Sequence, residues 1–210
     1  MVGDGALGTR LRAARAVRGM SLRTVAAEAG ISASLLSQVE NGRTQPSVGT
    51  LYSIVTFLGI SIDELLGTVP GEDAGPARGP LPPDGPVQYR RDAPRIEMQN
   101  GVTWERMATG GFAGVDPLRT SYDPGAASTS DGKFLRHSGI EYGYLIEGEL
   151  TLRLGFDTYR LAAGDSLCFS SHRPHLYVNE SSQVARGIWF VHDTADPLLS
   201  GGTVDLTPEL

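Results

Sequence analysis

The chain has 210 residues, 40% of them hydrophobic and 20% charged, which is globular composition with room for two small domains. No run approaches 18 consecutive apolar residues, and the first twenty carry Arg10, Arg12, Arg15 and Arg18 without an apolar segment. Neither a membrane span nor a secretory signal is therefore expected, and the cytoplasm is the expected address. The net charge of -6 conceals a division: residues 1–68 hold six arginines against five acids, while residues 69–210 hold twelve basic and nineteen acidic residues. The acidic average thus says nothing against DNA binding by the first part. The single cysteine, Cys168, excludes an internal disulfide and a cysteine zinc motif.

In chain order, the first pattern is helical. Leu7, Leu11, Ala14 and Val17 recur at spacings of three and four. Ser21 caps a short helix with Leu22, Val25, Ala26 and Ala29 apolar, closed by Gly30. Ser32 caps the next, which carries Leu35, Leu36 and Val39 and ends at Asn41-Gly42. Ser47 opens a fourth through Leu51, Ile54, Val55 and Leu58, and Ser61 opens a fifth ending near Leu66. Five short helices make an all-α module over residues 7–67.

Residues 68–87 read TVPGEDAGPARGPLPPDGPV. Six prolines and four glycines leave no periodic apolar face, so this is a linker expected to keep two modules apart without fixing their angle.

Beyond it, over 88–208, the period changes to two. Ile140–Leu145, Leu150–Leu154, Ser166–Phe169, Leu176–Val178 and Ala185–Val191 read as strands between turns at Glu147-Gly148, Gly155-Phe156-Asp157 and Ala162-Ala163-Gly164-Asp165. Many short strands without intervening helices imply an antiparallel sandwich or small barrel. In a regular strand Tyr142 and Tyr144 lie on the face opposite Glu141. Cys168 reads as a small buried hydrophobe. Seventeen arginines to one lysine suggest a GC-rich bacterial genome.

The stretch Met20–Leu66, with its turn at Ala29-Gly30-Ile31-Ser32, "SQVENGRTQPS" and "LGIS", resembles the DNA-binding domain of the phage-repressor-like regulators called the XRE family. The resemblance implies a five-helix, lambda-repressor-like domain whose recognition helix, Ser32–Glu40, enters the major groove. It makes Ser32, Ser34, Ser37 and Gln38, with Arg23 and Arg43 toward the backbone, the candidate DNA contacts on double-stranded DNA. It also implies a homodimer on an inverted-repeat operator.

The stretch Arg136–Ser182 resembles the cupin family, with "HSGIEYGYLIEGEL" as its first block and "GDSLCFSSHRPHLYVN" as its second. That implies an all-β jelly-roll barrel with an internal cavity. His137, Glu141 and His175 match three of the four ligand positions of a cupin metal site, and the fourth falls on Leu135. The three would suit iron, manganese, nickel or zinc; equally, they could remain as polar lining for an effector. His172 is a substitute ligand or a surface residue. Tyr122, Phe169, Tyr177 and Trp189 join the triad as candidate effector contacts. The pairing of domains implies a transcriptional regulator whose cupin binds a small-molecule effector, with no catalytic residue assigned. The alternative is a mononuclear non-haem iron oxygenase or epoxidase using His137, Glu141 and His175, with little reason for the helix domain to cap the barrel.

Overall fold

The computed structural model of the chain describes residues 4–60, 65, 87–108 and 115–192. It begins with four helices, α1 (Asp4–Val17), α2 (Leu22–Glu28), α3 (Ala33–Glu40) and α4 (Val48–Leu58). Three start at a serine cap: the hydroxyls of Ser21, Ser32 and Ser47 accept from the backbone N–H of Thr24, Leu35 and Thr50. Leu11, Val25, Leu36, Leu51, Ile54 and Leu58 meet in the core. Helix α1 crosses α3 so closely that a Cβ on Gly8 would lie 2.3 Å from the Val39 carbonyl oxygen. The crossing is clamped by Glu40, whose buried carboxylate accepts from Arg15 Nε at 2.6 Å and Arg15 Nη2 at 2.7 Å. A forked, two-point pair suits a guanidinium better than an ammonium.

Nine antiparallel strands follow among the described residues: β1 (Arg95–Glu97), β2 (Val102–Arg106), β3 (Val115–Tyr122), β4 (Ile140–Glu147), β5 (Glu149–Leu154), β6 (Asp157–Ala162), β7 (Ser166–Ser170), β8 (His175–Val178) and β9 (Ala185–His192). They form a six-stranded sheet, β1-β2-β3-β9-β4-β7, and a three-stranded sheet, β6-β5-β8. Gly148 (φ 79°) turns the chain from one sheet to the other, and a Cβ there would meet the Val184 carbonyl oxygen at 2.5 Å.

Two expectations are corrected here. The described residues hold four helices rather than five; the helix expected from Ser61 lies outside them except for the buried Leu65. The two sheets also stay open instead of closing into a jelly-roll barrel. The reason lies beside β8. Where a closed barrel needs another full strand, an irregular segment contributes only isolated bridges, Leu135 with His175 and Ala127 with Val178. Asp123-Pro124-Gly125 and Gly132 break its extended backbone, so it satisfies β8 rung by rung, as Ser128 N–H does for the Tyr177 carbonyl at 3.0 Å. The strands read from the sequence do not include β1, β2, β3 and β6; β6 is nearly all exposed and carries no alternation.

Outer-face alternation is as expected for Tyr142 and Tyr144, which are half-exposed. Cys168 is not buried: it pairs with Tyr142 on that same outer face and is exposed.

The linker composition suggested independent modules, yet the helices rest directly on the sheets. Gly49 N–H donates to the Ser128 carbonyl at 3.1 Å, and Gln99 N–H donates to the Pro46 carbonyl at 3.1 Å. A Cβ on Gly49 would stand 2.5 Å from Leu135 Cδ2, so the bare helix surface at this point allows the close approach.

Removing Glu40 would leave the partly exposed Arg15 without its counter-charge. Glu40→Ala is expected to destabilise the chain by about 2 kcal/mol, read as a lowered thermal midpoint. A change within about 0.5 kcal/mol would show the clamp to be unimportant.

Candidate metal centre

The site forms where both sheets and α4 meet. Glu141 points inward from β4. His137 precedes that strand, and the turn through Gly139 (φ 104°) folds it back beside Glu141. Ser171, just after β7, holds this loop by accepting from His137 N–H at 3.1 Å and donating its own N–H to the Gly139 carbonyl at 3.0 Å. His175 is the first residue of β8. All three side chains are buried.

Their ligand atoms lie within 4.8 Å of one another. Glu141 Oε1 is 2.9 Å from His137 Nε2 and 3.1 Å from His175 Nε2. The far nitrogens are tied as well: His137 Nδ1 meets the Ser138 carbonyl at 2.9 Å, and His175 Nδ1 the Arg173 carbonyl at 2.9 Å. A carbonyl only accepts, so each Nδ1 carries a proton and each Nε2 faces the carboxylate. Two states satisfy that geometry. Either both Nε2 atoms carry protons toward Glu141, or their lone pairs and Oε1 converge on a shared cation. Backbone carbonyls on the outer imidazole nitrogens are the usual support of metal-ligating histidines. The cluster can coordinate a divalent metal ion, and its two-imidazole, one-carboxylate donor set suits one.

Glu141 has further donors. Ser171 Oγ donates to Oε1 at 3.2 Å, Tyr177 Oη donates to Oε2 at 2.9 Å, and Trp189 Nε1 donates to Tyr177 Oη at 3.1 Å. Two glycines make room for that indole: a Cβ on Gly143 or Gly187 would stand 2.9 Å or 2.2 Å from the Trp189 ring. Burial by itself would raise the Glu141 pKa. Hydrogen bonds from His137 and His175, together with their charge, outweigh it and hold the carboxyl down at about 2. Burial, reinforced by the Glu141 charge, pushes the Tyr122 and Tyr177 phenols up, so both stay protonated, Tyr177 as the donor to Glu141.

The triad opens on a cavity of about 30 Å³. That is room for an ion and a small ligand, well below the several hundred Å³ of an ordinary metabolite pocket. Its lining includes Tyr122, His137, Glu141, His175, Tyr177 and Trp189 from the expected set. Phe169 instead packs behind the site, its ring 5.1 Å from that of His175. His172 is exposed, its carbonyl accepting from Arg136 Nε, and is not part of the cluster.

Several lining residues were missed. Trp104 and Thr120 sit on the inward positions of β2 and β3, and Thr120 shares its face of β3 with Tyr122. The buried Thr120 hydroxyl has no hydrogen-bond partner among the described residues. Val48 and Tyr52 come from α4, and no sequence signal connects them to the cavity. The Tyr52 ring lies flat on His137, centroids 4.3 Å apart and planes 2° apart, with Trp104 edge-on at 5.4 Å. The helix domain therefore roofs the cavity, against expectation.

The expectation of a chain without a catalytic centre is likewise overturned by the buried triad, the donor set of mononuclear metal enzymes.

On the helix side, Arg23, Ser32, Ser34, Gln38 and Arg43 are exposed and Ser37 is half-buried. Gln38 Nε2 donates to Ser34 Oγ at 3.4 Å, and Ser32 Oγ is engaged in capping α3.

The helix-turn-helix family profile matches residues 11–65, and the cupin domain profile matches 118–191. The chain is a helix-turn-helix domain fused to a cupin domain. Along most of its length this helix-turn-helix–cupin chain is similar to the HTH-type transcriptional regulator PuuR of Escherichia coli (strain K12), at 29% identity over 85% of the chain and 90% of that protein. Among solved structures, an HTH_3 family transcriptional regulator from Vibrio cholerae matches with a TM-score of 0.61 at 19% identity, covering 91% of this chain and 97% of that one. Hydroxypropylphosphonic acid epoxidase from S. wedmorenis matches with a TM-score of 0.47 at 20% identity, covering 90% and 98%.

The depressed Glu141 pKa sets a sign for acid stability. A carboxyl held lower in the folded state contributes its full stabilisation above its ordinary 4.5 and loses it as pH falls toward about 2. Metal-free protein is expected to lose stability steadily across that window, and Glu141→Gln to show a flatter profile there. Parallel acid melts of the two proteins would contradict the assignment.

Proposed function

We propose that the chain is a mononuclear metal-dependent enzyme of the two-histidine, one-carboxylate type, acting on a small oxygen-bearing ligand in a site roofed by its own helix-turn-helix domain. The observation that carries this reading is the convergence of His137 Nε2, His175 Nε2 and Glu141 Oε1, with both Nδ1 atoms already committed to backbone carbonyls. Three protein ligands leave coordination positions open. Iron(II), the metal typical of such an open triad, would supply Lewis acidity there for oxygen-donor ligands.

The chain's own groups then have distinct tasks. Ser171 and Tyr177 fix the two carboxylate oxygens, so Glu141 keeps its orientation and its charge. Leu118, Leu135, Val191 and Trp104 wall the cavity with apolar surface that keeps bulk water out. The partnerless hydroxyl of Thr120 is available to orient an oxygen of the ligand. A ligand of metabolite size needs the α4 roof to lift.

A second reading, a ligand-responsive DNA-binding regulator, is favoured by the exposed polar face of α3. There Ser34, Gln38 and Arg43 stand clear of the sheets, and the similarity to the named PuuR regulator supports it. In that reading the cupin holds the metal or an effector, and two copies read an inverted repeat with half-sites about one helical turn apart.

The deciding experiment reconstitutes the purified chain with iron(II) under anaerobic conditions and measures bound metal. About one ion per chain is expected, falling to near zero in His137→Ala, His175→Ala and Glu141→Ala. Folded wild-type protein that binds no metal would overturn the enzymatic reading. Selection of genomic DNA fragments by the same preparation tests the regulatory one.

A further inference from the structure

We propose that Tyr52, carried by the helix-turn-helix domain, is a positioning residue of the metal site, so that docking of α4 on the cupin completes it. This rests on the metal-binding reading of His137, Glu141 and His175.

The two histidines are held differently. His175 is surrounded by rings of the cupin itself: Phe169 at 5.1 Å and Tyr177 at 6.1 Å, both in edge contacts. His137 is fixed in its own plane by Ser138 at Nδ1 and Glu141 at Nε2. Those contacts lie in the ring plane and resist out-of-plane motion only weakly. Rotation about the Cβ–Cγ bond carries Nε2 and its lone pair out of that plane and away from Glu141. The flat Tyr52 ring, 4.3 Å away and 2° from parallel, blocks it. Trp104, edge-on to Tyr52 at 5.4 Å, backs the tyrosine from the sheet side.

Helix α4 is itself held by the segment that borders the site. Gly49 donates to the Ser128 carbonyl, while Ser128 Oγ accepts at 3.1 Å from the N–H of Tyr177, the residue whose hydroxyl donates to Glu141. Whatever lifts the helix domain off the cupin therefore uncovers His137 and removes its lateral support in the same movement. By linkage, a bound metal favours the docked arrangement of the DNA-reading domain as much as docking favours the metal.

The test uses the full-length chain loaded with cobalt(II), comparing wild type with Tyr52→Phe, Tyr52→Leu and Tyr52→Ala. The visible cobalt spectrum and the rate of release to a chelator are both read. Tyr52→Phe keeps a flat face and is expected to match wild type. Tyr52→Leu retains apolar contact with Trp104 without that face, and both it and Tyr52→Ala are expected to show an altered spectrum and release roughly tenfold faster or more. Leucine and phenylalanine variants identical to wild type in both readouts would overturn the positioning role and leave the metal site standing. A wild-type chain that takes up no cobalt would overturn the metal site, and this inference with it.

Discussion

A single carboxylate, buried and charged, organises the cupin half of this molecule. Glu141 sits at the junction of two sheets, and an ion in that position is costly unless it is fully paired. Its pairing draws on four neighbouring elements: the loop before β4 through His137, the end of β7 through Ser171, β8 through His175 and Tyr177, and β9 through the Trp189 indole behind Tyr177. The glycines at 143 and 187 follow from the same demand, because the indole that supports Tyr177 occupies the space their side chains would need. Remove the charge and much of this arrangement has no purpose beyond packing.

The same centre links the two domains. The proline- and glycine-rich composition of residues 68–87 gave no expectation of how the two domains meet, and the contact found is with the mouth of the cavity. Gly49, the Ser128 carbonyl and the Tyr52–His137 stack make the helix domain a wall of the site. The polar face of α3 remains exposed meanwhile. One domain therefore presents a surface of the kind that reads DNA and, on its other side, encloses a metal-binding triad. The triad and the helix domain share one interface.

Much of this was legible before any coordinates. Serine caps at 21, 32 and 47 mark helix starts because they answer a local need, the unsatisfied N–H groups of a first turn. Alternation located β4, β5, β7, β8 and β9 for a similarly local reason, and it put Tyr142 and Tyr144 on the face opposite Glu141. It missed β1, β2 and β3, and β6, where no face is buried, and it failed for Cys168, whose neighbours do not reveal that its side of the sheet is uncovered. Phe169 was placed in the cavity because inward-facing and cavity-lining look alike in a strand pattern; it faces inward, yet His175 stands in front of it.

The sequence by itself determined the two domain types and the ligand triad, since caps, periods and motif spacing are properties of short stretches of chain. Only the tertiary structure decided whether the sheets close, which aromatic rings reach the metal-binding atoms, and that a helix from the other domain covers them. Those outcomes depend on contacts between residues far apart in the chain, such as Tyr52 with His137 and Leu135 with His175. Such contacts are selected by packing volume and hydrogen-bond satisfaction across whole elements, and no local pattern records them.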